Sequence, residues 1–115
     1  MRRPSPTVVV TALVATVFHS IFVVRASFVV ADRRVFTLFD DAMISMRYAR
    51  SFAEGHGLVW NPGGAPVEGF TNLLWTLWMA VPHALGLPDT GAPLFVAATG
   101  IVILHAAAWA AHTLA

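Results

Sequence analysis

Three apolar runs and one polar stretch set the pattern of the chain. Thr7 to Val24 carries no charge, and neither does Phe70 to Leu87. A third uncharged run begins near Pro93 and reaches the C-terminus. A membrane-spanning helix needs about 20 mostly apolar residues. If Arg25 snorkels toward the interface, the first helix continues to Val30. The pattern therefore predicts an all-α membrane protein with about three spanning helices, at residues 7–30, 70–87 and 93–115. Residues 1–6 precede the first helix and residues 88–92 connect the last two. A signal peptide is the competing reading of the first run, with Val24-Arg25-Ala26 resembling a cleavage site. The run is longer than the roughly 7–15 residues of an ordinary signal core, which favours a retained helix.

The polar stretch at 31–69 reads differently in its two halves. Ile44, Tyr48 and Phe52 recur at helical spacing, and Arg47, Arg50, Ser51 and Glu54 recur opposite them. This is the signature of an amphipathic helix. Asp40 and Asp41 stand at its start, where a carboxylate caps free N–H groups and favours the helix dipole. Gly55 and Gly57 end it. Leu58-Val59-Trp60 reads as a short strand, Asn61-Pro62-Gly63-Gly64 as a turn, and Pro66-Val67-Glu68 as a loose returning strand.

Composition narrows the class. Of 115 residues, 57% are hydrophobic, and the seven basic side chains, all Arg, face six acids. The mean hydropathy is +0.71. Such a chain is neither disordered nor an ordinary soluble domain, in which about a quarter of residues are charged. A net charge of +1 without a basic stripe excludes nucleic acid as a partner. The absence of Cys removes disulfides, thiol chemistry and Cys-type zinc sites. Abundant Ala and Arg without Lys fit a high-GC bacterial genome.

The charge positions give opposing orientation signals. Arg2 and Arg3 place the N-terminus in the cytoplasm. The arginines between the first two apolar runs, counted literally, place the polar stretch there instead.

Several residues carry candidate chemistry. Asp40 and Asp41 suit a general base or a divalent-cation site, with a helix cap as the alternative. Arg47 and Arg50 suit a phosphate, for which the guanidinium fork is well shaped, or else form a solvated face with an Arg50–Glu54 pair. Glu68 and Asn72, at the mouth of the second apolar run, suit sugar hydroxyls; Glu68 also suits a cation or a headgroup-level boundary charge. Trp60, Trp75 and Trp78 can stack on a sugar ring or anchor at the membrane interface. Among the five His, the widely spaced His105 and His112 point to helix packing or helix–helix hydrogen bonding rather than to zinc.

Three runs together carry a family resemblance. They are Phe39-Asp40-Asp41-Ala42-Met43-Ile44-Ser45-Met46-Arg47-Tyr48-Ala49-Arg50, then Gly55-His56-Gly57-Leu58-Val59-Trp60-Asn61-Pro62-Gly63-Gly64, then Val67-Glu68-Gly69-Phe70-Thr71-Asn72. Over about Val35 to Ala80 the chain resembles the first extracytoplasmic loop of polytopic C-superfamily glycosyltransferases. More narrowly, it is similar to the terminal β-(1→2) arabinofuranosyltransferases of mycobacterial-type cell walls.

The resemblance implies a multi-pass plasma-membrane enzyme that moves a sugar, arabinofuranose in the narrow reading, from a polyprenyl-phosphate donor to a cell-envelope glycan. It implies residues 31–69 outside the cell, with the N-terminus inside. By position, Asp40 becomes the general base and Asp41 its support or a cation ligand. Arg47, Arg50, Trp60, Glu68 and Asn72 become substrate-binding residues. No cofactor is implied beyond a candidate divalent cation. Enzymes of this kind have many more spanning helices, so the expectation is an N-terminal part of such an enzyme, inactive alone. The alternative is a small non-enzymatic membrane subunit with a partner chain in the bilayer, since Gly91, Gly100 and the many Ala suit close helix packing.

Overall fold

Helix α1 spans Pro6–Arg25, with Pro in its first turn and the Ser5 hydroxyl accepting from the Val8 amide. The computed structural model describes residues 5–114, so Arg2 and Arg3 lie outside the described residues. At about 1.5 Å per residue, α1 is about 30 Å long, the thickness of a bilayer's hydrocarbon core. None of its residues is buried in the protein. Helix α4, Ala92–Leu114, is the second helix long and apolar enough to cross a membrane.

These two helices run antiparallel. Thr7 and Val8 share a groove with Trp109 and His112, and Phe22 and Val23 share a cleft with Ala97. They are joined polar-to-polar at mid-length, where His105 Nε2 lies 2.9 Å from Thr16 Oγ1 and 3.0 Å from the Ala12 carbonyl. Its Nδ1 donates to the Ile101 carbonyl at 2.7 Å. Such pairing suits a medium without water. His105 thus takes the helix–helix role expected of it.

The segments between α1 and α4 lie toward the end of that pair where α1 stops and α4 begins, with α3 reaching along α4 as far as Ile103. Helix α1 stops at Arg25 rather than continuing to Val30. The Ser27 hydroxyl donates back to the Val24 carbonyl at 2.6 Å, and the chain turns into a two-stranded antiparallel hairpin of β1, Phe28–Val30, and β2, Arg33–Val35. The expected hairpin at 58–68 does not form; this one takes its place. Ala31 (φ 47°) and Asp32 (φ 61°) make the turn, the two left-handed residues of the tight turn that matches strand twist. Helix α2 covers Asp40–Ala53 and α3 covers Leu73–Ala84.

Two further expectations change. The run at 70–87 yields only the 12-residue α3, about 18 Å long and too short to span. Asn72 precedes it, and Gly86 (φ 76°) follows its C-terminal turn. The molecule is therefore mostly helical with two candidate spans, not three.

The buried face of α2 is also rotated from the amphipathic reading. Ser45, Met46, Tyr48, Ala49 and Ser51 are buried, whereas Phe52 is 45% exposed. The cause is α3. Its Thr76, Met79 and Ala80 are buried with Met46 and Ala49 of α2 and with Ala92 and Val96 of α4. Small side chains let the helices approach closely, so α2 presents Ser45 and Ala49 to α3 together with Met46, while Phe52 stays outside.

Helix α2 ends as the sequence predicts. Gly55 sits at φ 85° just past the cap residue Glu54. Its amide donates to the Phe52 carbonyl and the His56 amide to the Ser51 carbonyl, each at 3.0 Å. This is the paired closure that a left-handed glycine permits.

Candidate functional site

The candidate site is built on the first turn of α2 and the segment that returns to it. Phe39 caps α2, and no side chain bonds the free amides there. Asp40 and Asp41 are therefore the first two helical residues, not caps. They still favour the positive end of the dipole, and among the described residues neither carboxylate has an ion-pair partner.

Successive helical residues diverge by about 100°, so the two acids serve different clefts. Asp40 lines a cleft of about 270 Å³ with Phe22, Val23 and Ala26 of α1's end, Leu38, and Ala97 of α4. This cleft is mostly apolar. Asp41 lines a smaller cleft of about 160 Å³ with Ser45, Gly69, Thr71 and Asn72. That one is the more polar of the two, although Phe70 also lines it.

Tyr48 explains why residues 67–72 reach Asp41. It lies on the buried face of α2 and is 2% exposed. Its hydroxyl donates to the Val67 carbonyl at 2.8 Å, and its ring meets Phe70 edge-on at 5.0 Å and Trp60 at 5.7 Å. Gly69 passes directly over the ring, where a Cβ would stand 2.5 Å from the hydroxyl. The chain from Trp60 to Phe70 thus packs on α2 rather than on itself, which is why no hairpin forms there. Asn61–Gly64 keeps its turn, with the Gly64 amide donating to the Asn61 carbonyl at 3.0 Å.

Asn72 then joins α2 to α3. Its Oδ1 accepts from Ser45 Oγ at 3.1 Å and from Thr76 Oγ1 at 3.2 Å. Its amide N–H groups remain available at the polar cleft. Ser45 was missed in the sequence, although it stands four residues after Asp41 and so shares its helix face.

Arg47 and Arg50 are brought to a third cleft, of about 230 Å³, with Met46, His83, Asp89 and Pro93. Arg47 Nε donates to the Trp60 carbonyl at 3.1 Å. Arg50 pairs with Glu54 at 2.7 Å and also with Asp89. The hydrogen bond from Arg50 holds the Glu54 carboxyl below its usual range, and the same bond, with Asp89, raises Arg50 further.

His83 has a 7% exposed side chain, with Nδ1 3.6 Å from Asp89 Oδ1 and Nε2 3.2 Å from Met46 Sδ. Burial lowers its pKa, against the opposing pull of Asp89. No spacing signal pointed to this His83–Asp89 pair, because the Gly86 turn creates it.

The remaining candidates are spread out. Glu68 is exposed beside Gly69, and Trp60 is 41% exposed. Trp75 packs against the core, while Trp78 stacks on Phe95 with ring centres 5.8 Å apart. His112 lies against Trp109. Among the described residues no three His, Asp or Glu side chains converge as a metal site requires. A cation at Asp41 would draw its other oxygen ligands from Ser45 and from substrate or water, because Asn72 Oδ1 already accepts two hydrogen bonds.

Comparison with family models, with curated proteins and with solved structures yields no match.

Proposed function

We propose that the chain forms the first extracytoplasmic segment of a membrane glycosyltransferase that takes a sugar from a polyprenyl-phosphate donor. The narrow form of the proposal is transfer of arabinofuranose to a cell-envelope glycan. One observation carries it. Tyr48 holds the Val67–Asn72 run against α2, so that Asp41, Thr71 and Asn72 line one cleft while Asp40 lines a second beside it. Motifs some 30 positions apart in the sequence are thereby assembled around one helix start.

In this reading the donor's isoprenoid tail approaches through the apolar cleft at the end of α1. Asp40 accepts the proton of the acceptor hydroxyl as its oxygen bonds to the anomeric carbon. The bond from that carbon to the phosphate oxygen breaks, and the polyprenyl phosphate leaves with the electron pair. Asp41 and Asn72 orient the sugar hydroxyls, or Asp41 holds a divalent cation. Arg47 contributes its remaining N–H groups to the phosphate, whereas Arg50 is committed to Glu54 and Asp89. Glu68 and Trp60 flank the entrance.

Membranes of the producing cell, given a synthetic polyprenyl-phosphate arabinose, are expected to transfer the sugar. Asp40→Asn at the chromosomal locus should lower the rate by about 10²–10⁴-fold, the usual weight of a general base. Full transfer by an Asp40→Asn, Asp41→Asn double variant would refute the reading. The purified 115-residue chain alone should not transfer. Its polar and apolar clefts, at about 160 and 270 Å³, fall below the roughly 300–1,000 Å³ of ordinary ligand pockets.

A second reading, a non-enzymatic membrane subunit, is favoured by one observation. An apolar groove of about 590 Å³ runs between α1 and α4, lined by Ala12, Ala106, Ala108 and Trp109 among others. Purification in mild detergent would then recover a stoichiometric partner. Recovery of the monomer alone would sink this alternative.

A further inference from the structure

The hairpin at 28–35 has no role in the site above, and its surroundings are unusual. Helix α1 ends at Arg25 after a full hydrocarbon thickness, and β1 starts at Phe28. The return of β2 is tied to the same level, with Thr37 Oγ1 donating to the Ala26 carbonyl at 3.0 Å. The hairpin therefore sits where α1 leaves the bilayer.

Three of its four apolar side chains are exposed, and Val35 is half-buried. Phe28, Val29 and Val30 are 50%, 61% and 54% exposed. A lone two-stranded hairpin is at best marginal in water and needs a further surface to pack on. The register puts Phe28 opposite Val35 and Val30 opposite Arg33, so these four share one face, while Val29 and Arg34 share the other.

The charges complete the picture. Arg25, Arg33 and Arg34 surround the hairpin, and none makes a salt bridge among the described residues; Arg34 donates only to Ser27 Oγ, at 2.8 Å. This contrasts with Arg50, which two carboxylates occupy. The one acid within the hairpin is Asp32, at its tip.

We propose that the 28–35 hairpin is a membrane-interface anchor that docks on anionic phospholipid headgroups. Phe28, Val30 and Val35 enter the upper acyl region, and Arg25, Arg33 and Arg34 take the lipid phosphates. The proposal depends on α1 spanning the bilayer and not on the sugar-transfer reading.

The chain has no Cys, so Val30→Cys, on the inserting face, gives a unique site for an environment-sensitive fluorophore. The full chain is reconstituted in phosphatidylcholine vesicles with and without phosphatidylglycerol, and quenched from the water phase by neutral acrylamide. A label at Val14→Cys, in the middle of α1, should be shielded in both. The label at position 30 should be shielded in the anionic vesicles and more accessible in the neutral ones. Arg33→Gln with Arg34→Gln should weaken that shielding by about fivefold per arginine, given the roughly 1 kcal/mol that each basic residue contributes at an anionic surface. Arg→Lys at both positions should retain it, and added salt should erode it.

Equal access at position 30 in both vesicle types, or no response to Arg→Gln, would overturn the proposal. So would protection by inorganic phosphate in neutral vesicles, which would mark a free-phosphate site instead. Acrylamide reaching position 14 would remove the spanning helix on which the proposal rests, and would leave the cleft assignments of Asp40 and Asp41 untouched.

Discussion

Tyr48 is the residue on which the candidate site depends. It is buried, hydrogen-bonded to Val67 and in contact with the rings of Trp60 and Phe70. Gly69→Ala would place a methyl group against the Tyr48 hydroxyl. Overpacking of this kind costs about 1–3 kcal/mol, so the 60–70 segment of the variant should be cut markedly faster in limited proteolysis. Unchanged cleavage would mean that the segment is not held by this contact. A pH effect belongs to this scale as well. His83 has a folded pKa below its ordinary value of 6.5 because burial penalises its charged form. The unfolded chain then binds more protons as pH falls through 6.5, and stability is lost toward acid until the folded pKa is passed. Glu54, whose carboxyl is also lowered, adds a loss of the same sign below its ordinary 4.5. Thermal unfolding between pH 7.5 and 5.5 should show a falling midpoint, and His83→Gln should flatten that slope. A slope unchanged by the substitution would place its origin elsewhere. The acids at 40 and 41 were legible in the sequence as a pair. Their separation into an apolar and a polar cleft was not, because it depends on which neighbours α1, α4 and the Thr71–Asn72 segment bring to each side of one helix.

The elements show why some of the fold could be read in advance and some could not. The ends of α2 were legible, because a double acid and a left-handed glycine are local signals that need no tertiary partner. The buried face was not, because packing on α3 selects Ser45 and Ala49 over the larger Phe52. The hairpin at 28–35 was hidden for another reason. Phe28-Val29-Val30 continues an apolar run, and such a run fits helix and strand alike. Its turn, Ala31-Asp32, lacks the Asn-Gly or Asp-Gly signature of tight hairpins. Conversely, Asn61–Gly64 has strong turn chemistry but no paired strands, because Tyr48 takes the backbone of the return segment. A prediction follows for the hairpin. Ala31 holds φ 47°, a left-handed geometry that costs a residue with a Cβ about 1–2 kcal/mol. Ala31→Gly should recover part of this, less the entropy that glycine loses on ordering. Amide exchange at Val30 and Arg33 should slow by about two- to fivefold, and faster exchange would contradict the turn geometry.

At the scale of the whole molecule, the number of spans decides the topology. Three apolar runs predict three crossings and place the two chain ends on opposite sides of the membrane. The structure has two long apolar helices lying antiparallel, with α2 and the hairpin toward the end where α1 stops and α3 lying along α4 as far as Ile103. The longest dimension, 54 Å, exceeds the roughly 30 Å of a hydrocarbon core, leaving depth for this layer at the bilayer surface. Helix α3 is too short to span, and its exposed Leu74 and Trp78 share an apolar cleft with Ile103 at the midpoint of α4, so it lies along that helix. If both candidate spans cross, Ser5 and Leu114 lie on one side and the whole of 26–91 on the other. Alkaline phosphatase, active only outside the cytoplasm, can read this when fused in turn after Gly64, after Gly86 and after His112. The Gly64 and Gly86 fusions should agree with each other and oppose the His112 fusion. If Gly86 opposes Gly64, α3 crosses the membrane and the three-span pattern is restored. The sign of the Gly64 signal decides the orientation as well. Activity there places the Asp40 and Asp41 clefts on the side where a lipid-linked sugar donor is presented. Silence there, with activity at His112, would follow the arginine count and remove the transferase reading together with its topology.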